Sequence, residues 1–540
     1  MSRMTAAAFG LTLGFAARAH AQGAEPYTFR MLLGRDTLSS EVVQRTATRL
    51  DGDLIDKSTG ARWQYTMTLA PDGHVSAMSN AFFRLTDGDT VPFQRAELAF
   101  GSDAVTVTIS GNVSRVEHLP TTPGVVPYIN PSFAMVEQAL RRARSMGGTA
   151  DTVPLFMVAG GQTVPAVIDR VGSDSAIIHI GAAAIRAAVG PGGELLGAVI
   201  PAQHVTVIRL AGAHPLVIQK IDYGAPPGAP YTAEDVTVHT PEGLSLTGTL
   251  TLPSVRHGRV PAVVTITGSG AEDRDERISI VAGYRPFWQV ADTLARRGIA
   301  TLRLDDRGVN GSSAGPAGAT SADFANDIRA ALAYLRTRPE IDGSRLGLVG
   351  HSEGGMIAPM VAATDPQLKG IVLMAGPAYT GRRILDFQQR NGVANASGLT
   401  AAERAAALTQ SAAATDSLIA TNAWVRFFVS YNPLPTARKV RVPVLILQGE
   451  TDQQVTPEQA DTLAAAFRAG GDRDVTVRKF PDTDHLFLAD SVGDPARYGM
   501  VATRTVRPAV LGALADWLVA RLRLPAPHGR SPSGNPRAPE

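Results

Sequence analysis

From Val236 onward, near-continuous apolar runs alternate with helical segments, and this alternation constrains the fold more than any other feature of the chain. Two apolar runs flank Pro241-Glu242-Gly243 within Val236–Leu252, the pattern of an opening hairpin. Val263–Thr267, Ile299–Leu304, Leu346–Val349, Ile371–Met374, Val444–Leu447 and Val475–Phe480 read as strands. Phe287–Arg297, Ala322–Arg336, Ile357–Ala363, Pro457–Arg468 and Val506–Leu522 read as helices. Strands that are apolar on both sides must be covered on both sides. The expectation is therefore an α/β domain over 233–524, with a doubly wound, mostly parallel sheet. Residues 379–440 interrupt the alternation with Ala-rich helical sequence and are expected to form a cap insertion.

The first half follows a different pattern. Trp63, Tyr65, Met67 and Leu69 alternate with Arg62, Gln64, Thr66 and Thr68, and Val105, Val107 and Ile109 alternate with Thr106, Thr108 and Ser110. Period two marks strands with one wet face, so 22–222 is expected to be an antiparallel β-rich domain, a curved sheet or partial barrel. One helix is expected in it, from an N-cap at Ser132 through Met135, Leu140 and Arg144. Pro and Gly in 223–232 read as a linker. Residues 1–21 resemble an export signal: Arg3, an apolar run from Met4 to Ala17, then Ala19-His20-Ala21 as a cleavage site. That predicts a periplasmic or secreted protein. The Pro-, Gly- and Ser-rich 525–540 reads as a disordered tail.

Composition narrows the partners. The chain has 51 basic and 49 acidic side chains and a formal net charge of +2, which gives no electrostatic reason to expect nucleic acid. No segment after the leader is long and apolar enough to span a membrane. Cysteine is absent, which excludes disulfides, thiolate metal sites and a Cys nucleophile. His74, His118 and His179 are widely spaced and show no ligand pattern. No metal or organic cofactor is expected. The β-rich half offers a candidate homodimer contact.

The chemistry is concentrated on loops after predicted strands. Gly350-His351-Ser352-Glu353-Gly354 falls between a strand and a helix, where a sharp turn thrusts Ser352 outward above a helix N-terminus. A serine nucleophile needs a base, and in this type of sheet an acid and then a histidine follow it in chain order. Only His485 and His528 lie after His351, and His528 belongs to the tail, which leaves His485. His351 itself is expected to point away, into packing. Asp452, in Gln448-Gly449-Glu450-Thr451-Asp452 after a strand, is the expected acid, with Glu450 as the alternative. The oxyanion-hole amides are expected from Glu353 and from Ser269 or Gly270 in the loop after Val263–Thr267. Arg307 and Asp273 are expected to lock neighbouring loops. Trp424, Phe427, Phe428 and Tyr431, at i, i+3, i+4 and i+7, share a helix face that is a candidate wall of a substrate pocket.

Together Gly350-His-Ser-Glu-Gly354, Gly268-Ser-Gly270 with Asp273-Arg274-Asp275, Asp306-Arg-Gly308, Gly449-Glu-Thr-Asp452 and Asp484-His485 resemble the α/β-hydrolase fold. They look most like bacterial esterases near the dienelactone hydrolase and prolyl oligopeptidase-like branches. The segment Trp424–Tyr431 before Val442-Pro443 resembles the same esterases. The resemblance covers about Ala233–Leu522 and does not reach the first half; the lipase-type His-Gly-Gly-Gly loop is replaced by Gly268-Ser-Gly270. It implies a serine esterase that cleaves small-molecule carboxylic esters of small to medium acyl chain through an acyl-enzyme. A peptidase of the prolyl oligopeptidase type would use the same residues. A non-catalytic binding protein on this fold is the reading from another class.

Overall fold

The computed structural model describes residues 25–522 apart from 72, 86–90, 112–113, 148–149, 182, 218–220, 257 and 397–398. The leader 1–21, the tail 525–540 and His528 lie outside the described residues. Two sheets, one of 15 strands and one of eight, account for the two patterns in the sequence.

The second sheet carries the strand–helix alternation. Its strands are β1 Tyr231–His239, β2 Ser245–Pro253, β3 Val260–Ile266, β4 Ala300–Leu304, β5 Ile341–His351, β6 Gly370–Met374, β7 Val444–Gly449 and β8 Val475–Phe480. Their spatial order is β1-β2-β4-β3-β5-β6-β7-β8. β2 runs antiparallel to β1 and β4, and every other pairing is parallel. The apolar runs are continuous because successive residues serve two cores. Ala262, Val264 and Ile266 of β3 enter one core and Val263 the other, while Val444 and Ile446 of β7 are separated from Leu445 and Leu447 in the same way. Helices Ser321–Thr337, Glu353–Ala362 and Glu458–Ala469 cover the first face; Pro286–Ala295 and Pro508–Leu522 cover the second. This is the α/β-hydrolase fold. Between β6 and β7 the cap-like excursion consists of helices Gly381–Asn395, Ala401–Thr421, Ala423–Ser430 and Pro433–Ala437.

The first sheet has two wings that meander outward from a central seam, where Tyr27–Leu33 pairs antiparallel with Val205–Ala211. Val126–Tyr128, at one edge, is parallel to its neighbour Ala150–Met157. The sheet curls far enough for the Thr121 and Thr163 hydroxyls to meet at 2.9 Å. It wraps the helix Phe133–Met146, which is buried on nearly every side, as a helix enclosed by a concave sheet must be. The N-cap at Ser132 is as expected from the sequence, its side chain accepting from the Met135 amide. Glu41 closes the same helix end, accepting from the Phe133 and Ala134 amides at 2.8 and 2.9 Å and from the Tyr65 hydroxyl at 2.6 Å. A carboxylate there meets the free amides and positive end of the helix dipole.

The stretch 223–232 joins the two units; β1 already begins at Tyr231, and Tyr223 is anchored. Its hydroxyl donates to Asp273 at 3.0 Å, and the Arg274 guanidinium lies 4.5 Å from its ring centroid. Arg307 and Asp273 do not pair. Arg307 binds Asp327 at 2.6 Å on its own side, and it is Arg274 that bridges loops, reaching Asp305 and Asp235. The two halves touch where Arg504 meets Asp36 at 2.7 Å and where Ile280 packs against the β-rich core.

Candidate active site

Ser352 sits where β5 turns into helix Glu353–Ala362, with φ 52° and ψ −116°. A non-glycine residue in this region is strained and is held there by its surroundings. The turn is tight enough that a Cβ on Gly350 would lie 2.1 Å from the Gly354 carbonyl oxygen, and one on Gly354 would lie 2.1 Å from that of Ile266. Both positions therefore exclude any side chain, and Ser352 is left half-exposed at the crest.

Asp452 and His485 come together from the ends of β7 and β8. His485 Nδ1 is 2.8 Å from Asp452 Oδ2. Asp452 is fixed by three other donors: Gln448 Nε2 at 3.0 Å on the same oxygen, and the Gln454 and Val455 amides at 2.8 and 2.9 Å on the other. Glu450, the alternative acid, is exposed on the turn. Among the described residues Ser352 Oγ has no hydrogen-bond partner; in unliganded sites such contacts are often long.

The amides of Ser269, Gly270 and Glu353 have no hydrogen-bond partner among the described residues, whereas that of Gly268 donates to Glu276 Oε1 at 2.7 Å. These three amides are therefore open to a bound group. Gly268 is close to the elbow, its notional Cβ 3.5 Å from Ser352 Cβ. Beneath this loop a cavity of about 40 Å³ is walled by Leu246, Leu304, Phe324, Ile328 and Ile357, with Asp306 on its polar side. It has room for no more than a few water molecules. Burial pushes Asp306 up to about 8 and, with Glu276 and Asp306 nearby, lifts Glu272 to about 8 as well.

Sequence reasoning missed the partners of Glu353. Its buried carboxylate accepts from Ser321 Oγ at 2.6 Å and Trp424 Nε1 at 2.9 Å, and the Ser269 side chain also bonds to it. Burial raises its pKa and these donors partly offset that. A charged residue beside a buried elbow was the available signal. Trp424 is thereby placed against the elbow. The other candidate pocket residues divide into stacked pairs, Trp424 on Phe428 with centroids 5.4 Å apart and Phe427 on Tyr431 at 5.2 Å. Phe428 is buried against Gly381, and Tyr431 lies just past the helix end, its hydroxyl 2.5 Å from Thr436 Oγ1. Phe428→Ala should therefore cost about 3 kcal/mol of stability and leave acyl-length preference unchanged. Trp424→Phe should alter the ratio of activities on long and short esters, measured on a p-nitrophenyl ester series. Sensitivity at Phe428 alone would reverse these assignments.

His351 was expected to pack away from the site. It is buried, with Nδ1 2.7 Å from Glu276 Oε1 and Nε2 2.9 Å from the His485 carbonyl oxygen. Burial alone would depress its pKa, but the Glu276 carboxylate outweighs burial and holds it at about 9 against an ordinary 6.5. A group raised in the folded state contributes stability fully below its unfolded value and loses it as pH climbs through the folded one. The difference in melting temperature between wild type and Glu276→Gln should be largest below pH 6.5 and shrink through about 9. A gap independent of pH would overturn this reading.

Among the described residues, no three His, Asp or Glu side chains converge in a way that could hold a metal ion. No helix of the described residues is long and apolar enough to cross a membrane.

The fold and the serine at its elbow define an α/β serine hydrolase. Residues 283–491 match the family model described as "Serine aminopeptidase, S33", a span that includes Ser352, Asp452 and His485 but neither Gly268-Ser-Gly270 nor the β-rich half. Esterase EstD of Thermotoga maritima is 25% identical over 54% of this chain and 68% of its own length. The uncharacterized peptidase YuxL of Bacillus subtilis is also 25% identical, over 47% of this chain but only 35% of its own length. Similar solved structures include the Pyrococcus furiosus esterase Pf2001, 17% identical over 57% of this chain and 99% of that one, with TM-score 0.38. Another is the hypothetical protein PA2218 of Pseudomonas aeruginosa, 19% identical over 57% of this chain and 100% of that one, with TM-score 0.39.

Proposed function

We propose that Ser352, His485 and Asp452 act as a catalytic triad that hydrolyses carboxylic esters of small to medium acyl chain. The observation that carries this reading is the 2.8 Å contact between His485 and a fully satisfied Asp452, on the same edge of the sheet as a serine held in a strained turn. His485 takes the Ser352 proton as Oγ attacks the ester carbonyl, and Asp452 fixes the tautomer and stabilises the imidazolium. The amides of Glu353 and of Ser269 or Gly270 receive the oxyanion. His485 then protonates the leaving alcohol, and a water activated by His485 releases the acid. The similarity to esterase EstD supports an ester substrate.

The name of YuxL and the description of the family model favour a second reading, peptide-bond hydrolysis by the same residues. The deciding experiment compares p-nitrophenyl butyrate with aminoacyl p-nitroanilides. The esterase reading expects kcat/KM to favour the ester by at least about 100-fold, equivalent to roughly 2.7 kcal/mol. A preference for the anilide would install the peptidase. We also propose export of the chain. The leader-like 1–21 supports it, and N-terminal sequencing of the protein from a periplasmic fraction, expected to begin at Gln22, tests it.

A further inference from the structure

Glu276 and His351 are buried ionisable groups beside the proposed triad. The His351 and His485 ring centroids are 4.9 Å apart. Glu276, His351 and His485 are 2%, 3% and 4% exposed, so water does not reach the chain of hydrogen bonds that joins them. That chain starts at the Gly268 amide, passes to Glu276 Oε1 and on to His351 Nδ1, and ends with His351 Nε2 at the His485 carbonyl oxygen. A peptide oxygen can only accept, and an ionised carboxylate can only accept. Both ring nitrogens of His351 must then carry hydrogen, which makes the ring an imidazolium.

We propose that His351 is a positioning residue of this hydrolase, a buried cation that ties the oxyanion loop to the peptide of His485 through Glu276. The inference rests on the triad reading above. Three points of the chain that catalysis must hold in register meet at this pair. Gly268 opens the loop after β3, His351 directly precedes the nucleophile, and the His485 carbonyl belongs to the proposed base. Turning the Gly268 amide toward Glu276 leaves the amides of Ser269 and Gly270 free to face a substrate.

Two further observations mark the pair as more than packing. Glu276 occupies the left-handed region at φ 55°, an uncommon setting for a non-glycine residue that its surroundings must enforce. Its Oε2 is buried without a partner, so the carboxylate depends on the imidazolium for compensation. Removing the cation would strand a buried charge at the base of the oxyanion loop. Glu272 and Asp452 also face the His351 ring, and both are acidic.

The test uses the full chain in four forms: wild type, His351→Gln, Glu276→Gln and the double variant. Ester kinetics, fluorophosphonate labelling and thermal melts are recorded on each. Gln at 351 keeps a donor but cannot carry charge. Each single variant should lower kcat by about 10- to 100-fold with KM within about twofold, the signature of misplaced groups rather than lost binding. The double variant should be no worse than the weaker single, because the two residues act as a unit. Selective ¹⁵N-histidine labelling of the wild type should show one ring protonated on both nitrogens at pH 8, absent from His351→Gln. A folded His351→Gln with wild-type kcat overturns the proposal, as does a wild-type spectrum without that ring. Should His351→Gln not fold, Glu276→Gln and the wild-type spectrum decide. A wild type that the fluorophosphonate does not label sinks the triad reading, and this inference with it; a labelled wild type with unaffected variants sinks this inference alone.

Discussion

Ser352→Ala should fold as the wild type does and lose ester hydrolysis by at least about 10⁴-fold, since a triad serine acts with its partners as a unit. The loss should be complete because the crest of the elbow admits no substitute. Gly350 and Gly354 cannot bear side chains, Ser269 and Ser321 bond to the Glu353 carboxylate, and His485 is already engaged with Asp452. Thermal stability should be unchanged or slightly raised, because alanine removes a hydroxyl that has no partner among the described residues. The measurement is p-nitrophenyl ester turnover beside a melt of the same sample. Substantial turnover by a pure, folded Ser352→Ala protein would sink the assignment of the nucleophile.

The second large effect is expected at Asp452. Asp452→Asn presents an amide to two donors, His485 Nδ1 and Gln448 Nε2, where a single oxygen now accepts from both. The imidazole is then driven to the wrong tautomer, and kcat should fall by about 10⁴-fold as in the triad template. Glu450→Gln, on an exposed turn, should stay within about twofold, as surface changes away from machinery do. If Glu450→Gln proves the more damaged enzyme, the acid is Glu450 and the observed Asp452–His485 contact is structural.

How much of this was legible varies with how local the signal is. Strands that feed two cores are apolar on both faces, so β3, β6 and β7 were visible as runs, and the elbow was visible as glycines around a serine. His485 followed by elimination, because few histidines lie downstream. In the β-rich half, period two was plain at Tyr65, Met67 and Leu69, which are buried between wetter neighbours. The number of strands and their closure around one helix were not visible, since a single strand carries no record of its neighbour's identity.

Charged partnerships were the least readable. Glu276 and His351 are 75 positions apart, and nothing in either neighbourhood names the other. Arg307 and Arg274 both sit among acids, and geometry alone decides which aspartate each one meets. Proline and glycine report an irregular backbone, which is a different property from looseness, and Tyr223 clamps that backbone to Asp273 and Arg274.

The seam of the large sheet bears on the order of events during synthesis. Apart from the parallel pair Val126–Tyr128 and Ala150–Met157 at one edge, each wing is built from antiparallel pairs of consecutive strands, which can form as soon as they emerge. The joint between Tyr27 and Ala211 links the first strand of the unit to its last. Until Val205–Ala211 has been made, Tyr27–Leu33 presents one unpaired edge, a ready template for wrong pairing. Long-range closure of this kind is slow relative to hairpin formation. The nascent chain is thus most exposed to self-association while the second wing is being translated, and ribosome-bound chains with Val205–Ala211 still inside the exit tunnel should aggregate where chains in which that strand has emerged do not.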